Sequence, residues 1–335
     1  MAASEPTGSV IDQRMQLQLA PFAKHCRQLL LLTGALALCI SQSACQPGRN
    51  SDRITVASAG RITSLDPAQA STFGALQLLS ALGDTLYKRS ATGQLTPALA
   101  SALPEISDGG RTVTIPLRED VLFHDGTRFD AEAMAFSLRR FLEIGTLSYV
   151  VGDRITAVET PGTYRLRLRL SRPSSSLENL LTATNLTPVS PTAYRNHQDR
   201  FLNDRFIGTG PYELTSFRAV QQRLEPFTNY WGASPSNSGL DLIYLSNSTA
   251  LFGAMRSGEV DVLLSDSIDE DQRLALNRMA GEGRLREGQG PALVIGYITL
   301  LSNTQPLQNP VLRRALALSL DRDLINERVS HGLRP

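Results

Sequence analysis

The sequence predicts an α/β protein exported from the cell that makes it, and three patterns carry that reading. "TYRLRLRL" (163–170) alternates apolar and charged residues with period two, the mark of a strand wet on one face. "DLIYL", "TALFGAMRSG" and "EVDVLL" follow one another as strand, helix and strand, which implies parallel pairing. Lys24 and Arg27 precede "LLLLTGALALCI" (29–40), an uncharged apolar run followed by the small residues Ser43 and Ala44. That order is the pattern of an export signal.

At 335 residues the chain is long enough for two or three compact units with buried cores. Its 33 Lys and Arg nearly cancel its 32 Asp and Glu, so no global field draws in nucleic acid. A composition 41% hydrophobic, with 25 Gly and 18 Pro, fits a mixed globular protein and excludes disorder or a fibre.

As a helix, residues 29–40 would extend about 18 Å, short of a hydrocarbon core of roughly 30 Å. Met15 offers a shorter start than Met1. All three cysteines, Cys26, Cys39 and Cys45, lie in this region. Cys45, directly after Ser43 and Ala44, resembles the modified cysteine of bacterial lipoproteins, with Gln42 where that motif usually has an aliphatic residue. The resemblance implies a signal peptide over 1–44, lipid attachment at Cys45 and a polar tether over 45–53. Ordinary cleavage nearby and a retained N-terminal anchor are the alternatives. On the lipoprotein reading the mature chain keeps no free thiol, which suits an oxidising compartment.

The elements follow in order. "ITVASAG" from Ile54 reads as the first strand. After a turn at Asp66-Pro67, Leu76, Leu79, Leu82 and Leu86 recur at helical spacing and set an apolar stripe toward a core. "RTVTIPLR" places Val113, Ile115 and Leu117 on one face, with Pro116 marking an edge or irregular strand. Asp130 caps a helix whose Met134, Leu138, Phe141 and Leu142 share a face. "TPGT" (160–163) reads as a type II turn. In the strand after it, Tyr164, Leu166, Leu168 and Leu170 point inward and Arg165, Arg167 and Arg169 outward, which predicts an antiparallel sheet solvated on one side. A nucleic-acid stripe is the rival reading of those arginines.

Beyond Phe206, "GPYELTSF" and "QQRLEPF" read as a strand pair, and Gly258 ends the helix of the strand, helix, strand unit. The apolar run "LVIGYITLL" precedes two helices. Asn309 caps the first, with Pro310 in its first turn; Asp321 caps the second, which ends near Gly332. After about residue 267 the sequence predicts roughly one strand and two helices, too little to close a layered core. A truncated domain is the expectation, and an obligate partner chain the alternative.

"SLDPA", "LYKRSATGQLTPALA", "GGRTVTIPLREDVLFHDGTRFDAEAMAFSLRR", "GTGPYEL", "NYWG", "MRSGEVDVL" and "NPVLRRALALSLDRDLI" stand in this order. Together they resemble the family 5 extracellular solute-binding proteins, the peptide, dipeptide and nickel receptors of ABC importers, from about Ile54 to the last residue. The resemblance implies a two-lobed, periplasmic binding protein-like (type II) α/β fold. Residues 54–86 and 207–267 would form the first lobe, 87–206 its mainly β insertion, and 268–335 the start of an incomplete second lobe. It further implies a monomeric periplasmic receptor, lipid-anchored to the membrane, that delivers oligopeptide-like solutes to a permease with its ATPase subunits. No enzyme activity, cofactor or nucleic acid is implied.

Carried over from the family, the ligand site would comprise Ser71, Thr72 and Phe73 after the "LDP" turn, Ser265 and Asp266 after "SGEVD", and Asn303. Tyr149, just past the "FHDG" helix, joins them. Asp266 would suit a ligand amine. Each of these residues also reads as a turn residue or helix cap. Trp231 reads as core packing first and cleft wall second.

Other motifs point away from catalysis. "FHDG" (123–126) sets His beside Asp, a pairing suited to acid–base chemistry. No GxSxG elbow accompanies it, and Asp125-Gly126 is turn chemistry leading into a helix. "GTGP" (208–211) is a poor phosphate cradle, since Pro211 has no N–H and a strand follows. His25, His124, His197 and His331 share no spacing, so no metal site is expected. An exported hydrolase and a non-functional fragment of a solute-binding protein are the alternative functions.

Overall fold

The computed structural model describes residues 52–62, 64–90, 92–150, 152–174, 177–195, 205–264, 268–288 and 297–332. Along them run the strands β1 (Ile54–Ser58), β2 (Tyr87–Arg89), β3 (Leu95–Pro97), β4 (Glu105–Ser107), β5 (Thr112–Pro116) and β6 (Ile155–Gly162). β7 (Arg165–Leu170), β8 (Tyr212–Arg218), β9 (Gln221–Pro226), β10 (Leu240–Tyr244) and β11 (Val262–Leu263) follow. The principal helices are α1 (Phe73–Leu82), α2 (Ala131–Ile144), α3 (Ser248–Ser257), α4 (Glu270–Gly281), α5 (Pro310–Ser319) and α6 (Arg322–Ser330). None of the described helices is long and apolar enough to cross a membrane.

One sheet has the order β11-β1-β10-β9-β8. β1 lies between β10 and β11, parallel to both, while β10, β9 and β8 pair antiparallel. The strand, helix, strand reading of 240–263 therefore holds, with β1 inserted between its two strands. Gly258 ends α3 at φ 75°, a conformation open to it because it lacks a Cβ.

The second sheet, β4-β5-β7-β6, is wholly antiparallel. Leu166, Leu168 and Leu170 of β7 are buried against α2, where Met134, Leu138 and Phe141 supply the facing stripe. The arginines of the other face meet acids: Arg165 with Glu105 at 3.1 Å, Arg169 with Glu159 at 3.2 Å and Arg167 with Glu159 at 3.6 Å. These pairs make a solvated ion ladder of the stripe.

Several expectations are corrected. Helix α1 stops at Leu82, so Leu86 lies beyond it, and Leu76 is only partly buried; Ala75, Leu78, Leu79 and Leu82 form the buried face. The chain turns out at Gly83, where a Cβ would come within 2.2 Å of the Thr187 methyl. β5 is interior, not an edge, and Pro116 is tolerated because it is the strand's last residue, past the reach of β4. The turn before β7 falls at Thr163–Tyr164, and Gly162 stays extended and pairs with Arg165. Helix α4 has no counterpart in the expectations, because its apolar residues are sparse and none is fully buried. Of "LVIGYITLL" (293–301), residues 297–301 form no strand, and 293–296 lie outside the described residues.

The caps expected near the C-terminus are present: the Asn309 side chain accepts from Val311 N–H and that of Asp321 from Leu324 N–H, both at 2.9 Å. Along α5 and α6, Val311, Leu318 and Val329 are exposed.

Candidate functional site

In an open α/β sheet, ligands settle in the crevice beyond the carboxyl ends of parallel strands, where the chain leaves to opposite sides. Here that edge is formed by the ends of β1 at Ser58, β10 at Tyr244 and β11 at Leu263. A small cavity of about 20 Å³ lies beside the ends of β1 and β10, lined by Val56, Ser58, Gly60, Gly74, Gln77 and Tyr244.

Three of the sequence-derived candidates lie at this edge. Thr72 caps α1: its Oγ accepts from Ala75 N–H at 3.3 Å and donates to Arg61 O at 3.0 Å. Ser71 and Phe73 flank it and are exposed. Gly74 abuts Gly60 so closely that a Cβ on it would lie 2.3 Å from Gly60 O. Tyr149 is exposed on a short 3-10 turn, Ser148–Val150. Its loop leans on the turn before Ser71, through Thr146 N–H to Ala68 O at 2.9 Å. Asn303 is exposed, and its carbonyl accepts from Gln308 within its own segment. Ser265, Asp266 and Cys45 lie outside the described residues.

Arg61, Gln77 and Tyr244 were missed by sequence reasoning. Arg61 lies three positions past the end of β1, and its guanidinium stands 5.5 Å above the Tyr244 ring. An arginine between a parallel strand and the turn opening the next helix was the available signal.

The named motifs turn out to be fasteners. Asp66 of "SLDPA" is buried, accepts from Ala68 N–H at 3.0 Å, and receives both terminal nitrogens of buried Arg140 on α2. Asp84, also buried, accepts from Lys88 Nζ at 2.7 Å and from Trp231 Nε1 at 2.9 Å. Trp231 packs on the core beneath the Arg118 guanidinium, 4.5 Å away, in the packing role expected first.

His124 is bound to backbone on both sides of its ring: Nδ1 accepts from Gly208 N–H at 3.3 Å and Nε2 faces Gly210 O at 3.1 Å. Burial holds its pKa below the usual imidazole value, against opposing backbone bonds and the charges of Asp125 and Asp84. Asp125 accepts from Thr127 N–H at 3.0 Å and from the Ser190 hydroxyl, so serine and histidine are not joined as a nucleophile and base. Gly208 and Gly210 press against Phe206 and Leu82, which gives "GTGP" the tight-turn role. Among the described residues no cluster of three His, Cys, Asp or Glu side chains could hold a metal.

The middle region of the bacterial extracellular solute-binding proteins, family 5, matches residues 94–335. The chain belongs to that family. It is similar to the peptide transport periplasmic protein SapA of Salmonella typhimurium, 26% identical over 303 residues, which are 82% of this chain and 53% of SapA. It is also similar to the glutathione-binding protein GsiB of Shigella flexneri, 25% identical over 275 residues, covering 80% of this chain and 52% of GsiB. Among solved structures, DppA from Helicobacter pylori in complex with the peptide STSA matches with a TM-score of 0.70 and 20% identity, over 83% of this chain and 58% of DppA. NikZ from Campylobacter jejuni in complex with Ni(L-His) matches with a TM-score of 0.69 and 20% identity, over 84% and 56% of the two chains. Over the part it spans, about half the length of the curated relatives it matches, the chain shares the α/β fold of the two-lobed periplasmic binding proteins.

Proposed function

We propose that this chain is the solute-binding component of an ABC importer, which captures oligopeptide-like solutes in the periplasm and presents them to a membrane permease and its ATPase subunits. Family 5 membership over residues 94–335 carries the reading. The peptide and glutathione relatives support a peptide-like solute. No chemistry is required of it, which accords with His124 and Asp125 being engaged in local hydrogen bonds.

In this reading residues 54–86 and 207–267 form the first lobe, 87–206 its β-rich insertion, and the second lobe begins at 268. Solute lies along the carboxyl ends of β1, β10 and β11, against Ser71, Thr72, Phe73, Ser265 and Asp266, with Tyr149 and Asn303 at the margins. The monomer works by hinge closure, driven by tighter binding to the closed form. Cys45 carries the lipid anchor; mass spectrometry of the mature N-terminus should find an acylated cysteine, and an unmodified N-terminus elsewhere overturns the anchor.

Thermal unfolding of the chain with a pool of di- to pentapeptides tests the receptor role. A ligand at a hundred times its Kd stabilises the folded state by about 2.7 kcal/mol. At least one peptide should raise the Tm; failure of every member overturns the reading.

A further inference from the structure

We infer that Asn185 is a positioning residue for solute binding: by holding the backbone of 67–70 it aims Ser71, Thr72 and Phe73 at the solute, and so gives the β-rich insertion a part in recognition. This rests on the solute-binding reading above and names a residue through which that site is set.

The first support is a pair of bonds from one amide. Asn185 Nδ2 donates to Pro67 O at 2.9 Å and to Ala70 O at 2.7 Å. An amide nitrogen has two N–H donors, so both are spent on the backbone around one turn, the 3-10 segment Pro67–Gln69. Asn185 itself sits in the 3-10 turn Thr184–Leu186, whose Leu186 is buried in the same core cluster as Ala68. The donor is thus mounted on packed core, the support that a precisely set site needs.

The second support is where the held backbone leads. Ala70 is fully buried, and exposed Ser71 follows it directly. Because the peptide unit is planar, fixing Ala70 O also fixes the direction of the Ser71 N–H. Among the described residues that N–H has no acceptor. Thr72 is tied in turn to Arg61 O and Ala75 N–H, so the segment is held before Ser71 by Asn185 and after it by the cap of α1. Thr146 N–H binds Ala68 O and Arg140 binds Asp66, so three residues within 87–206 grip 66–70 together. Arg140 carries a buried charge on which the fold leans, whereas Asn185 is neutral and half-buried, so its loss frees the turn without unfolding the core.

The test compares the unsubstituted full chain with Asn185→Asp, which keeps the shape but sets an oxygen against two carbonyls, and with Asn185→Leu, which removes the donors without adding charge. Retention of a pool of di- to pentapeptides is read by mass spectrometry, well below the unfolding midpoint of each chain, where loss of stability alone does not weaken binding. Hydrogen exchange of residues 68–76 and of α2 is read on the same samples. Loss of two neutral hydrogen bonds predicts retention weaker by about tenfold. Exchange of the Gln69, Ala70 and Leu76 amides should quicken to a similar degree, with that of α2 unchanged. Should Asn185→Asp fail to fold, Asn185→Leu carries both readouts. A change in only one readout, or in neither, overturns the inference and leaves the receptor role standing: faster exchange with full retention makes Asn185 a structural residue only. Retention of no peptide by the unsubstituted chain overturns the receptor reading and the inference with it.

Discussion

His124 illustrates how a residue that looks catalytic in sequence is used as a fastener. With Nδ1 accepting from Gly208 N–H and Nε2–H available to Gly210 O, the neutral ring satisfies both partners, while a protonated ring would set a donor against the Gly208 N–H. Its folded-state pKa is depressed, chiefly by burial. The unfolded chain therefore takes up the proton first as pH falls. Stability from this group is fully present above the ordinary value of about 6.5 and is lost as pH drops below it toward the folded-state pKa. Urea unfolding between pH 7.5 and 5 should show a loss approaching one proton, about 1.4 kcal/mol per pH unit at its steepest. His124→Gln should flatten that slope, and an equal slope in the variant would show that other groups cause the loss.

Helix α2 is the element through which the chain's motifs are joined. Its start is capped by Asp130, which accepts from Ala133 N–H at 2.8 Å, and its buried stripe fills the core beneath β5 and β7. Its other attachment is electrostatic: Arg140 reaches into the turn at Asp66-Pro67, and both partners are almost wholly withdrawn from water, at 5% and 1% exposure. Removing one member of such a pair leaves a buried charge uncompensated. Arg140→Ala is therefore expected to cost about 3–5 kcal/mol in equilibrium urea unfolding. Replacing the pair together, Arg140→Met with Asp66→Asn, should recover much of that loss. A cost below about 1 kcal/mol for Arg140→Ala would mean that water reaches the site. The cap and the apolar stripe of α2 were legible because both are local spacing patterns. The partner of Arg140 was not, since Asp66 lies 74 residues away.

At the scale of the whole molecule, the same division holds between near and far. Period-two alternation determined β7, the αL glycine determined the end of α3, and Asn309 and Asp321 determined the starts of α5 and α6, because each is decided by steric and hydrogen-bonding preferences within a few residues. The ordered motifs determined the family as well. Only the tertiary structure decided that β1 lies between β10 and β11, joining residues 54–58 to 240–244 and 262–263. Only that pairing brings Arg61 over Tyr244 and beside Thr72. Alternation and caps report what one segment prefers, whereas a binding edge is made by segments whose proximity is set by burial of a shared sheet, and no local pattern records which strand becomes the neighbour.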